Sequence, residues 1–119
     1  MIDCPICSSG LHVKQLSCGG CGVDFNGRFS LPRLARLSHL QQGFVEALVL
    51  AGGNLKTLAE ELDVSYPTLR KRLDVLIADM NTLKVADEKE IDSILKSIET
   101  GDISAEQGLR HMKEINGAL

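Results

Sequence analysis

All four cysteines of the chain fall within its first 21 residues, as CPIC (Cys4, Cys7) and CGGC (Cys18, Cys21), with ten residues between the pairs. Two residues between thiolates let a tight turn place both sulfurs on one edge of a tetrahedron, and a short hairpin brings the second pair round to complete it. Four thiolates leave no open coordination position. Cys4, Cys7, Cys18 and Cys21 are therefore expected to hold one structural Zn2+ per chain, not a catalytic one. The alternatives are a pair of disulfides or a redox CxxC. No βαβ pattern surrounds these cysteines, as a thioredoxin-like site would require. The start MIDCPICSSG lacks the basic and apolar stretches of a signal peptide, and no apolar run approaches the roughly 18 residues that span a bilayer. A cytoplasmic chain with reduced thiols is the expectation.

Between the two pairs, residues 11–16 (LHVKQL) alternate apolar and polar as a half-buried strand does, and Gly19, Gly20 and Gly22 suit turns. This part resembles a zinc ribbon, with Pro5 after the first cysteine and Gly22 after the last, although Ser8 stands where the first knuckle usually has glycine. The stretch VDFNGRFSL then reads as a second hairpin turning at Asn26-Gly27, a dipeptide preferred in two-residue type I′ turns, with Phe25 or Phe29 packed over the metal site. His12, His39 and His111 have no ligand-like neighbours and are read as surface or core residues.

From Ser38 the apolar period changes from two to about 3.6. Ser38 and Gln41 form a capping box ahead of the stripe Leu40, Phe44, Ala47, Leu48 and Ala51, and Gly52-Gly53 ends that helix. Asn54 caps a short second helix with Leu55, Leu58, Ala59 and Leu62 on one side. After a three-residue turn Ser65 caps a third helix over residues 65–80, with Leu69, Leu73, Leu76, Ile77 and Met80 inward. Pro67 is tolerated because it falls in the first turn, where its missing N–H has no intrahelical partner. The sequence LAEELDVSYPTLRKRL resembles a helix-turn-helix, with Asp63 where the turn commonly has glycine. The longer run from Gly52 to Leu76 is similar to the DNA-binding end of the Fis family, and VSYPT is similar to LacI-type repressors. In such an arrangement the first turns of the last helix enter the major groove. Tyr66, Pro67, Arg70 and Lys71 are then expected at base edges, and Thr68, Arg72, Lys56 and Asn54 at phosphates, with Asp74 limiting the approach.

The polar run NTLKVADEKE is read as a break before two short amphipathic helices separated by Gly101-Asp102. Ile91, Ile94, Leu95 and Ile98 form one apolar stripe; Leu109, Met112 and Ile115 form the other behind a Ser104–Gln107 capping box. Gly108 is read as a weak point in the last helix. These stripes ask for cover from a second copy or from the central helices, so Ile91, Ile94, Leu95, Ile98, Leu109 and Met112 are candidate oligomerisation residues. The segment resembles the helical hairpins of SHOCT-like modules.

The expected fold is thus a small multi-module, mainly α protein: an N-terminal β zinc ribbon (1–33), a central three-helix helix-turn-helix (36–82) and a C-terminal helical hairpin (87–119). The scarcity of aromatic residues, Phe25, Phe29, Phe44 and Tyr66 alone, agrees with aliphatic helix packing. Charge is uneven within a net of −3: residues 1–40 carry Lys14, Arg28, Arg33 and Arg36 against Asp3 and Asp24, whereas residues 85–119 carry eight acids against four bases. A basic front suits a polyanion. The order ribbon, connector FSLPRLARLS, helix-turn-helix resembles a small bacterial family known as a domain of unknown function, number 2089, whose members are predicted regulators. The function expected is a DNA-binding transcriptional regulator, cytoplasmic and homodimeric or larger, without catalysis. No paired carboxylates, activated nucleophile or phosphate-cradling loop is present in a suitable context. The other reading is a non-catalytic adaptor that binds transcription machinery or another protein through the ribbon and helices.

Overall fold

The computed structural model describes residues 3–116. Its elements are β1 (Val13–Ser17), β2 (Asp24–Phe29), a 3-10 turn at Arg33–Arg36, α1 (His39–Leu50), α2 (Leu55–Glu61), α3 (Tyr66–Glu99) and α4 (Ala105–Asn116). The protein is mainly helical with a two-stranded N-terminal sheet, as expected. It divides into two compact units, Met1–Pro32 with Ala86–Leu119 and Arg33–Val85.

In the first unit β1 and β2 pair antiparallel. The turn expected at Asn26-Gly27 is not made; both residues lie inside β2. Val13 faces Phe29 and Gln15 faces Asn26, so Lys14 alone stands opposite Gly27 and Arg28. That extra residue is a β-bulge, a common place for glycine in a strand. Pairing with β1 through the Cys18–Cys21 turn thus overrides the local turn preference. Of the two rings expected over the metal site, Phe25, opposite Leu16, is 57% exposed and Phe29, opposite Val13, is half-buried.

The second unit follows the sequence's own punctuation. Ser38 and Gln41 form the reciprocal capping box of α1, and Gly52 and Gly53, at φ 69° and 76°, follow its end. Asn54 Oδ1 accepts from the N–H groups of Lys56 (3.0 Å) and Thr57 (3.2 Å) to start α2. Leu58, Ala59 and Leu69 are the buried centre, packed round by Phe44, Ala47, Leu48, Ala51, Leu55 and Val64. Three residues of this unit's expected apolar stripes are not inside. Leu40 is 86%, Leu62 41% and Ile77 44% exposed. Ile77 sits about 100° round α3 from the buried Leu76, beyond the arc that the shorter helices cover.

The polar run at residues 81–90 is no break, because α3 continues through it to Glu99. It contains neither glycine nor proline, and Lys, Ala and Glu are good helix formers. Half-buried Leu83 and buried Asp87 carry the inner line onward, and Asp87 is partnered there. The helix ends at Gly101 (φ 80°), where Asp102 N–H donates to Ser97 O at 3.0 Å. Ser104 and Gln107 then form the second capping box, with Gln107 N–H donating to Ser104 Oγ at 3.1 Å.

Gly108, expected to weaken α4, is instead where α4 meets α3. A Cβ there would overlap Ile98 Cδ1, lie 2.7 Å from its Cγ1 and 3.3 Å from Ile94 Cγ2. Overpacking of this kind costs about 1–3 kcal/mol, more than the roughly 1 kcal/mol alanine returns in helix propensity. Gly108→Ala is therefore expected to lower stability by about 1 kcal/mol in urea unfolding. In an Ile98→Ala background the same substitution should be neutral or stabilising, because the overlapping atoms are gone. Additive effects of the two changes would show that the helices do not touch at this point.

Candidate metal centre and nucleic-acid interface

The two cysteine turns repeat one backbone pattern. Cys4 N–H donates to Ser9 O (2.7 Å) and Ser8 N–H to Cys4 O (2.8 Å); Cys18 N–H donates to Val23 O (2.8 Å) and Gly22 N–H to Cys18 O (2.9 Å). The residue after each pair takes the left-handed conformation, Ser8 at φ 61° and Gly22 at φ 76°. Ser8 thus adopts the shape that glycine would give more easily. Further N–H groups point at the sulfurs. Ile6 N–H donates to Cys4 Sγ at 3.4 Å. The Ser9 hydroxyl, then its N–H, then Cys4 hold the Cys7 thiol below its usual pKa. The N–H groups of Cys21 and Gly20, then the Cys21 side chain, do the same for Cys18. Such donors favour the thiolate, the form that ligates metal. The sequence reading missed Ser9, whose signal was a hydroxyl two positions beyond the second cysteine.

No residue from 3 to 30 is buried; Cys4, Val13 and Phe29 are only half-buried. A two-stranded sheet without a core is marginal by itself, so the donor chemistry and the lack of apolar support both fit a metal cross-link. Each cysteine pair is formed within its own turn, while among the described residues no group of three or more Cys, His, Asp or Glu is gathered at ion-binding distance. His12, His39 and His111 likewise join no such group.

In the second unit the turn between α2 and α3 is closed by Val64 N–H donating to Ala59 O at 3.0 Å, with Asp63 left-handed at φ 53°. Aspartate tolerates this conformation better than most side chains. Ser65 Oγ accepts from Thr68 N–H (3.4 Å) and shares a 2.8 Å hydrogen bond with the Thr68 hydroxyl. With the start capped and Leu69 fully buried, the phase of α3 is set.

Tyr66, Pro67, Thr68, Arg70, Lys71 and Arg72 are all exposed, as are Asn54 and Lys56 at the start of α2. They do not form one surface. Pro67 and Lys71 point most directly away from Leu69, and Tyr66 and Arg70 lie on one flank. Arg72 is about 160° round the helix from Arg70, beside Leu40, Gln41, Phe44 and Val75. Arg70 Nη2 pairs with Asp74 Oδ1 at 3.3 Å in an exposed contact worth about 0–1 kcal/mol, a small loss if a ligand displaces it. Asn54 spends its side-chain oxygen on the α2 cap, which leaves its amide N–H groups for an outside acceptor.

Of the six candidate oligomerisation residues, Ile94 is buried within the chain, Ile91, Ile98 and Met112 are half-buried, and Leu95 and Leu109 are exposed. Among the described residues no helix is long and apolar enough to cross a membrane.

Two family descriptions match the chain. The DUF2089 zinc ribbon covers residues 4–35, and the domain of unknown function (DUF2089)-HTH covers residues 37–83. No curated protein and no solved structure matches the chain. A zinc ribbon joined to a helix-turn-helix points to nucleic-acid binding and, through the ribbon, to zinc. With both modules present in order over all but one of residues 4–83, the chain belongs to the DUF2089 family.

Proposed function

We propose that the protein is a non-catalytic transcriptional regulator that binds double-stranded DNA as a homodimer, with the first turns of α3 in the major groove. The observation that carries this reading is the fixed phase of α3: Leu69 is fully buried while Tyr66, Pro67, Arg70 and Lys71 remain exposed on the first two turns. Arg70 suits a bidentate contact to guanine, with Tyr66, Pro67 and Lys71 beside it along the base edges. Lys56 at the start of α2 and Thr68 beside the cap suit phosphates. Cys4, Cys7, Cys18 and Cys21 would hold one Zn2+, which supplies a cross-link and, with four thiolate ligands, no site for chemistry. The donors round the Cys7 and Cys18 sulfurs favour the thiolate there, and the Ile6 N–H to Cys4 Sγ contact helps orient that side chain.

Metal analysis of the purified protein should give one zinc per chain. Chelation should remove amide-exchange protection across residues 13–29 and leave the core around Leu58 and Leu69 protected. A ribbon equally protected without metal would refute the structural role.

The DNA reading is tested by fluorescence anisotropy on a selected duplex and a scrambled one across a salt series. Arg70→Ala should cost about 1–3 kcal/mol on the selected duplex and little on the scrambled one. Lys56→Ala should weaken both alike and lower the slope of log affinity against log salt by about one. Unchanged affinity and sequence preference in folded Arg70→Ala and Lys71→Ala variants would favour the adaptor function, in which the same surfaces bind another protein.

A further inference from the structure

Leu40, Gln41 and Phe44 of α1 and Arg72 and Val75 of α3 line an open cavity of about 490 Å3 within the second unit. Leu40 is 86% and Val75 55% exposed, so the strongest apolar features of this groove stand in water. Arg72, Val75 and Asp79 follow one another along the same side of α3 at spacings of three and four. Gln41 is held between Ser38 N–H, which donates to its Oε1 at 3.2 Å, and Asp79, to which its Nε2 donates. Asp79 is thereby fixed in orientation and keeps acceptor capacity for another donor. Arg72 has no hydrogen bond or ion pair among the described residues, whereas its neighbour Arg70 pairs with Asp74.

We propose that this groove is the homodimer interface, occupied by the same groove of a second copy, with Arg72 of each chain paired to Asp79 of the other across a two-fold axis near Val75. The order of charges selects the occupant. A polyanion or an acidic peptide attracted by Arg72 would meet the Asp79 carboxylate two turns on. A small ligand would be poorly enclosed, since such sites bury roughly 70–90% of their ligand and Leu40 lies almost wholly outside. A second copy laid antiparallel offers apolar side chains at the centre and the opposite charge at each end. Positive and negative groups sit three residues before and four after Val75, so one rotation satisfies both pairs, as an isologous contact requires. Leu40 of each chain then fills the apolar cavity of its partner.

The inference deepens the homodimer of the proposed function and rests on that reading only for its purpose, two reading helices on one duplex. Its test needs no DNA. Sedimentation equilibrium of the full chain should show a dimer at micromolar concentration. Arg72→Asp and Asp79→Arg should each raise the dimer dissociation constant by roughly tenfold or more, and the double variant should recover most of the loss. Val75→Glu should give a monomer with unchanged helical circular dichroism. Arg72→Asp breaks no described contact within the chain, so it stands as a clean probe even if Asp79→Arg disturbs α1 through Gln41. A monomeric wild type, single variants that pair like the wild type, or a double variant no better than either single would each overturn the interface. So would a dimer that survives Val75→Glu but dissociates on Leu109→Glu, which would move the contact to the C-terminal hairpin. A protein that pairs as described but ignores DNA upholds the interface and refutes only the regulatory reading.

Discussion

The contact of Leu69 with Leu58 and Ala59 sets what every other side chain of α3 can do. Full burial of a leucine is worth about 1.5–3 kcal/mol, whereas an exposed pair such as Arg70–Asp74 is worth at most about 1 kcal/mol. Packing therefore decides the rotation of the helix, and the surface residues accept the directions it leaves them. Ala59 matters as much as the leucines, because a larger side chain would hold α2 and α3 apart. The Ser65 cap and Pro67 fix where α3 begins, and Leu69 fixes which way it faces. Together they send Lys71 outward and Arg72 toward α1, although the two are adjacent in the sequence.

The ribbon is organised on another principle. With no buried residue from 3 to 30, its order comes from backbone hydrogen bonds repeated round two cysteine turns and from one short sheet. Hydrogen bonds open to water contribute only about 1 kcal/mol each, so the turns are shaped but weakly supported. A metal held by the four cysteines, as proposed, would supply what the missing core does not. The helical part has the reverse economy, holding its structure by aliphatic burial and leaving its polar groups for the surface.

Most of the boundaries could be read in the sequence because they depend on one or two residues. Ser38, Asn54, Ser65 and Ser104 each cap the helix they precede, and Asp63 takes the left-handed turn position. The cysteine spacing likewise carries its own geometry. What the sequence concealed depends on distant partners. Asn26-Gly27 has the composition of a turn but is pulled into β2 by pairing with β1. The run at residues 81–90 is polar, yet polarity does not end a helix in the absence of a breaker. Leu40 continues the periodic stripe of α1 but is left exposed beside Arg72 and Val75, apart from the centre at Leu58 and Leu69. At the candidate interface the exposed residues, and the offset of Arg72 from Pro67, Arg70 and Lys71 round α3, follow from helical periodicity; which residues of α1 lie beside Arg72 and Val75 does not.

Gly108 has a consequence for how the C-terminal hairpin keeps its alignment. It is the sole glycine of α4, and Ile98 and Ile94 occupy the space a side chain would need. Slippage of α4 by one turn would bring Ser104 or Met112 into that notch, and neither fits without displacing Ile98. The hairpin is consequently indexed: its amphipathic stripes by themselves would tolerate several registers, and the notch favours the one that sets Gly108 against Ile98. An element with a favoured register presents its outer residues, Leu109 among them, at set positions rather than as a sliding apolar surface.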